Sequence, residues 1–156
     1  MAIDRVVAKQ YRDKVNQASM RLEGLSIPIE GWLRTVRHAL GMSGPQLAKR
    51  LGVTKARVSK AEKDELVGGV TLKTMQNMAE AMGCRFVYAV VPEQKVEEVI
   101  KERAQKKARE QVKSASTHMA LESQTLSDEQ IKFEIDRIAT EIAETMPSDL
   151  WTDEKG

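Results

Sequence analysis

Ser43-Gly44-Pro45-Gln46-Leu47-Ala48-Lys49-Arg50-Leu51-Gly52-Val53-Thr54-Lys55-Ala56-Arg57-Val58-Ser59-Lys60-Ala61-Glu62 spells two short helices joined by a tight turn. Ser43 and Gln46 have the spacing of a capping box, in which the hydroxyl accepts from the Gln46 amide and the Gln46 side chain reaches back. Pro45 is tolerated there because a first-turn amide needs no intrahelical acceptor. Leu47, Ala48 and Leu51 form the inward face of the first helix, and Gly52 supplies a left-handed turn residue. Thr54 caps the second helix, expected from about Lys55 to Glu62, with Val58 and Ala61 inward. Ala48 is small where the two helices cross, and Val53 plugs the space between them. That inner face leaves Thr54, Lys55, Arg57 and Lys60 pointing outward.

Helical periodicity extends to both sides of this stretch. Upstream, Trp32, Leu33, Val36 and Leu40 share a face of a helix that Gly41 closes. Further upstream, Ile3, Val6, Val7, Tyr11, Val15, Ala18 and Leu22 predict an amphipathic helix, ended by Gly24 and Ser26-Ile27-Pro28. Downstream of Gly68-Gly69, Thr71 caps a helix with Leu72, Met75, Met78, Ala79 and Met82 on one side, where the methionines read as core packing. Arg85-Phe86-Val87-Tyr88-Ala89-Val90-Val91 is β-branched and aromatic, is ended by Pro92, and reads as a strand. A lone strand must find a partner for its backbone groups, and the same strand of a second copy would supply one, giving a homodimer. A long charged helix is expected from about Glu93 to Leu121, then a looser stretch from Ser123 to Ser127. Ser127 caps a last acidic helix carrying Ile131, Ile135, Ile138 and Ile142, which Pro147 ends ahead of a loose tail.

Charge is distributed unevenly along the 156 residues. Residues 122–156 hold ten acids against three bases, a balance of −7, so the overall +2 leaves +9 on the rest. A basic body suits a polyanionic partner, whereas the acidic tail avoids one. Cys84 is the only cysteine, which excludes an intramolecular disulfide and suits a reducing compartment. No signal-peptide core and no apolar run of membrane-spanning length is present, so a cytoplasmic protein without membrane contact is expected.

An α-helix fits the major groove of double-stranded DNA, and side chains near its N-terminal end reach base edges. Arg57 has the shape for a bidentate base contact, whereas Lys55 and Lys60 suit phosphates or both roles. The candidate DNA-contacting set is Ser43, Gln46, Thr54, Lys55, Arg57, Ser59 and Lys60. The bland alternative is a helical bundle with a solvated basic face. The coincidence of small residue, turn glycine, capped second helix and outward bases favours DNA.

On Leu47-Ala48, Gly52-Val53-Thr54, Val58-Ser59 and Glu62, residues 31–83 resemble the Cro/repressor-like, or XRE, helix-turn-helix family. Many members carry Gln at the start of the motif's first helix, where this chain has Gly44; Ser43, Gln46 or backbone amides at that helix start would take over its phosphate contact. The resemblance implies a lambda-repressor-like helix-turn-helix bundle, and with the one added β-strand and the flanking N- and C-terminal helices read from residue pattern the expected fold is mainly α. The corresponding division is an N-terminal amphipathic helix over 1–25 and a DNA-binding domain over 31–83. A dimerisation strand over 84–92, a long charged helix over 93–122 and an acidic helix and tail over 123–156 complete it.

Gly31-Trp32-Leu33-Arg34, Leu40-Gly41-Met42-Ser43-Gly44, Thr71-Leu72-Lys73-Thr74, Tyr88-Ala89-Val90-Val91-Pro92 and His118-Met119-Ala120-Leu121-Glu122 are similar to the family called mobile mystery protein A. Its members are encoded beside a partner with a Fic domain, so the resemblance implies an autorepressing, antitoxin-like partner of a Fic-type AMP transferase. Fic inhibitors carry Ser/Thr-x-x-x-Glu-Gly/Asn on a helix. Ser19-Met20-Arg21-Leu22-Glu23-Gly24 fits that pattern, making Ser19, Glu23 and Gly24 candidates for partner inhibition. Ser26-Ile27-Pro28-Ile29-Glu30-Gly31 fits it too, although Pro28 opposes a continuous helix there. The plainer reading makes Glu23 a solvated helix-end carboxylate and Gly24 a C-cap.

No enzyme is expected, and no cofactor or metal. His38 and His118 read as solvated or packed histidines, and Cys84 as a buried thiol at the start of the strand. Two further readings stay open: a phage-type or mobile-element repressor without toxin contact, and a protein-interaction module with residual DNA binding.

Overall fold

The computed structural model describes residues 4–121 and 126–153, the side chains of 119–121 excepted. Ile3, Ser123–Thr125 and Glu154–Gly156, for which a helix start, a looser stretch and a mobile end are expected, lie outside the described residues. Seven helices are described: α1 Arg5–Arg21, α2 Trp32–Ala39, α3 Gly44–Leu51, α4 Lys55–Val67, α5 Leu72–Ala81, α6 Val96–Leu121 and α7 Asp128–Thr145. The chain divides into two compact units, one continuous over Gly24–Ala89 and the other built from Met1–Glu23 together with Val90–Gly156.

The continuous unit packs α2 to α5 around Leu33, Leu47, Ala48, Val58, Ala61, Met75, Met78 and Met82. Full burial of a side chain such as Leu47 or Val58 stabilises by about 1.5–3 kcal/mol each. Leu40 and Leu72, expected on inward faces, are exposed: each stands at a helix end, beyond the turn that meets the core. Helix α4 runs to Val67 rather than Glu62, because nothing breaks it before Gly68, which closes it in the left-handed conformation.

Two carboxylates of α4 tie this helix to α2. The Glu62 carboxylate receives Arg37 Nε at 2.6 Å and Nη2 at 3.2 Å, while Arg37 Nη1 donates to the Met42 carbonyl. Both side chains are only 11% exposed, so each charge depends on the other. Glu65 accepts from the Trp32 amide at 2.6 Å and the Leu33 amide at 2.9 Å, capping α2 from outside. The local N-cap residue is Gly31, with φ +82°, and a Cβ there would lie 2.9 Å from the Glu65 carboxylate. Glycine is required twice at this position, for conformation and for space.

In the other unit α6 packs on α7. Ala104 and Ala108, one turn apart and fully buried, let α7 approach through Ala139 and Ile142. Helix α6 begins at Val96 rather than Glu93, where α1 supplies the cap: Asn16 Oδ1 accepts from the Val96 amide and Asn16 Nδ2 donates to Glu97. The Glu97 carboxyl is held below its usual range, first by the helix-start amide and then by the Asn16 amide.

Three expectations need correction. The segment Arg85–Val91 forms no strand among the described residues; it runs on from α5 without a ladder partner, because a strand needs a second edge and the described residues offer none. Cys84 is exposed rather than buried. The chain after Pro147 is not loose up to Asp153. Leu150 is buried against α6 and α7, and Arg103 donates to the carbonyls of Leu150 and Thr152 and to the Asp153 carboxylate while lying over the Trp151 ring.

Replacing Arg37 with Met is expected to destabilise the protein by about 3–5 kcal/mol, since it strands the Glu62 carboxylate. The double variant Arg37→Met/Glu62→Leu should recover more than half of that loss. Urea denaturation of the full-length chain measures both.

Candidate nucleic-acid interface

The turn between α3 and α4 is built as its residue types dictate. Ser43 Oγ accepts from the Gln46 amide at 3.2 Å, and Gln46 Oε1 accepts from the Ser43 amide at 2.8 Å, completing the capping box. Gly52 takes φ +69° with open space around it, so the left-handed backbone is what selects glycine there. The Val53 amide returns to the Ala48 carbonyl, and Val53 packs on the core beneath the turn. Thr54, with an extended backbone, then caps α4 by accepting from the Arg57 amide at 3.2 Å.

Val58 and Ala61 bury one face of α4 against α3 and so fix the direction of the opposite face. Thr54, Lys55, Arg57, Ser59 and Lys60 are all exposed. The bases of α4 stand mainly in its first half, Lys63 excepted, and its acids, Glu62, Asp64 and Glu65, in its second. The positive end of the helix dipole therefore coincides with the cationic side chains, which favours an anion at that end. Ser43 and Gln46 are also exposed, at the start of α3, but are partly committed to each other. The Ser43 hydroxyl proton and the Gln46 Nε2 group remain as donors, and Gly44 contributes only backbone.

Some basic residues nearby serve the fold. Arg50 Nε donates to the Ala81 carbonyl at 2.6 Å and closes the end of α5. Lys60 Nζ lies 2.8 Å from Asp64 Oδ2 one turn along α4. Sequence reasoning passed over Asp64, although its i,i+4 spacing from Lys60 was a signal in plain sight. It also passed over Arg37 and Glu65, which tie α2 to α4 across a long separation in the chain.

The inhibition candidates lie elsewhere. Ser19 is on α1, and its Oγ is 3.5 Å from the Pro92 carbonyl. Helix α1 ends at Arg21, so exposed Glu23 and Gly24, with φ +79°, follow it in a turn. Ser19 and Glu23 both line a cleft of about 470 Å³ with Met20, Val91 and Lys95. The second match, Ser26–Gly31, is not helical, and its Glu30 faces Arg34 at 3.2 Å. His38 and His118 are exposed, and among the described residues no group of His, Cys, Asp and Glu is placed to hold a metal. No helix of the described residues is long and apolar enough to cross a membrane.

Residues 33–88, roughly a third of the chain, match the family model for the helix-turn-helix. No curated protein and no solved structure matches the chain. The matched segment covers α2 to α5 and every exposed base on α4. Residues 33–88 therefore carry a match to an XRE-like helix-turn-helix domain, which supports a DNA-binding transcriptional regulator.

Proposed function

We propose that the chain is a homodimeric, sequence-specific repressor, acting in the cytoplasm on an operator of its own operon and paired with a Fic-domain protein. The observation that carries the DNA part is the outward set on α4: Thr54, Lys55, Arg57, Ser59 and Lys60 are exposed along a helix whose other face is locked by Val58 and Ala61. Arg57 makes the base contact, Lys55 and Lys60 hold phosphates, and Ser43 and Gln46 anchor the start of α3 on the backbone.

The dimer reading rests on the segment after α5. It is not helical, has no ladder partner among the described residues, and exposes Val87, Tyr88 and Val90, the last at 92%. Phe86 packs on the core and stacks on Tyr88 at 5.8 Å, which steadies the backbone as an edge for a second copy. The Fic partnership rests on the resemblance to mobile mystery protein A. The exposed carboxylate of Glu23 at the end of α1 is its inhibitory group, with Ser19 and Gly24 setting the helix end.

Arg57→Ala is expected to lower operator affinity by about 1–3 kcal/mol and to relax specificity at one base pair. Removing the Lys60 charge should weaken all sequences and lessen the salt slope by about one. A gel-shift salt series on operator and random DNA separates the two; the same affinities as wild type in both variants would remove α4 from the interface. Val90→Pro, which deletes a backbone donor of this segment, should shift the sedimenting species from dimer to monomer. Glu23→Gly should abolish inhibition of AMP transfer by the co-purified partner; inhibition that persists, or no co-purifying Fic protein, leaves a repressor without toxin contact.

A further inference from the structure

Of the three acids on α4, two are engaged by the fold: Glu62 by Arg37, and Glu65 by the amides that open α2. Asp64 differs from both. Its side-chain partner is Lys60, at 2.8 Å, a residue of the DNA-facing set. Seven residues separate Asp64 from Arg57, almost two full turns, so the two lie in one row about 10.5 Å apart along the axis. Arg57, Lys60 and Asp64 also line one cleft of about 310 Å³, together with Thr71 and Thr74 at the start of α5. The Asp64 carboxylate thus sits among the groups that meet DNA, and the Asp64 contact that serves the fold, its carbonyl accepting from the Gly69 amide, is backbone.

We infer that Asp64 is a positioning residue that restrains Lys60 and so weakens the sequence-independent part of DNA binding. The inference rests on the reading of α4 as the recognition helix. On random DNA, where Arg57 finds no matching base, Lys60 must leave a carboxylate to reach a phosphate, and that carboxylate repels the same phosphate. Both effects weaken the sequence-independent part of binding. At the operator the same exchange of Lys60 from Asp64 to phosphate is made, while Arg57 adds base contacts that random DNA lacks, so only operator binding stays strong once the shared phosphate contribution is lowered. Asp64 therefore lowers the phosphate-borne affinity common to all sequences without touching a base.

The test is Asp64→Asn in the full-length chain, alone and combined with Lys60→Met, titrated against operator and random duplexes over a salt series. Asp64→Asn should raise affinity for random DNA about twofold to tenfold at low salt, steepen its salt slope by up to about one, and raise operator affinity by a similar factor. In the Lys60→Met background the same substitution should change little. Unchanged random-DNA binding overturns the inference, and so does an equal gain in the Lys60→Met background, which would mean Asp64 acts without Lys60. Asp64→Ser, read in the same series, carries the test if the Asn variant lowers the melting temperature. Wild-type protein that binds no duplex at low salt fails the recognition-helix reading itself; binding by wild type with no response to Asp64→Asn fails this inference alone.

Discussion

The pairing of Arg37 with Glu62 holds the DNA-binding unit in register. It is nearly buried, joins α2 to α4, and has a third arm on the Met42 carbonyl just before α3 begins. Three elements thus meet at one guanidinium. A buried ion pair of this kind contributes less to net stability than its Coulomb attraction suggests, because both ions lose water. Its geometric demand is strict, however: any rotation of α4 about its axis leaves a charge unpaired. The outward direction of Arg57 and Lys60 follows from that constraint as much as from the apolar contacts of Val58 and Ala61.

A second theme is capping from a distance. Helix α2 starts after Gly31, which has no side chain to offer, and Glu65 provides both acceptors. Helix α6 starts with its first amide on Asn16 of α1. By contrast α3, α4, α5 and α7 carry their own hydroxyl caps at Ser43, Thr54, Thr71 and Ser127. The two non-local caps lie within different units, and each joins segments far apart in the chain. They convert an end effect of one helix into a tertiary contact.

This division also explains what could be read in advance. The helix ends marked by local chemistry, from Ser43 to Gly52 and at Thr54, Thr71 and Ser127, were legible because cap and amide are three residues apart. The core methionines of α5 were legible because helical spacing alone places them. Glu65 and Asn16 were not, since nothing near them says which helix they serve. The strand expected over Arg85–Val91 failed for a related reason: residue preference describes a strand's surface, whereas a ladder depends on a partner backbone that no residue type encodes. The tail was misjudged because its anchor, Arg103, sits far upstream on α6. Of the candidate interface, the outward bases were visible from periodicity, and the acid that restrains one of them was overlooked among ordinary surface charges.

The order of the two units along the chain carries a consequence for how the protein comes into being on the ribosome. Gly24–Ala89 is contiguous, so all of its contacts are available as soon as its last residues emerge. Helix α1 is made before that unit, yet its partners Val96 and Glu97 are translated only after the whole of it. With no buried residue of its own, α1 must wait as an exposed amphipathic segment while the domain behind it closes. The nascent chain is thereby able to hold the helix-turn-helix geometry before α6 and α7 exist.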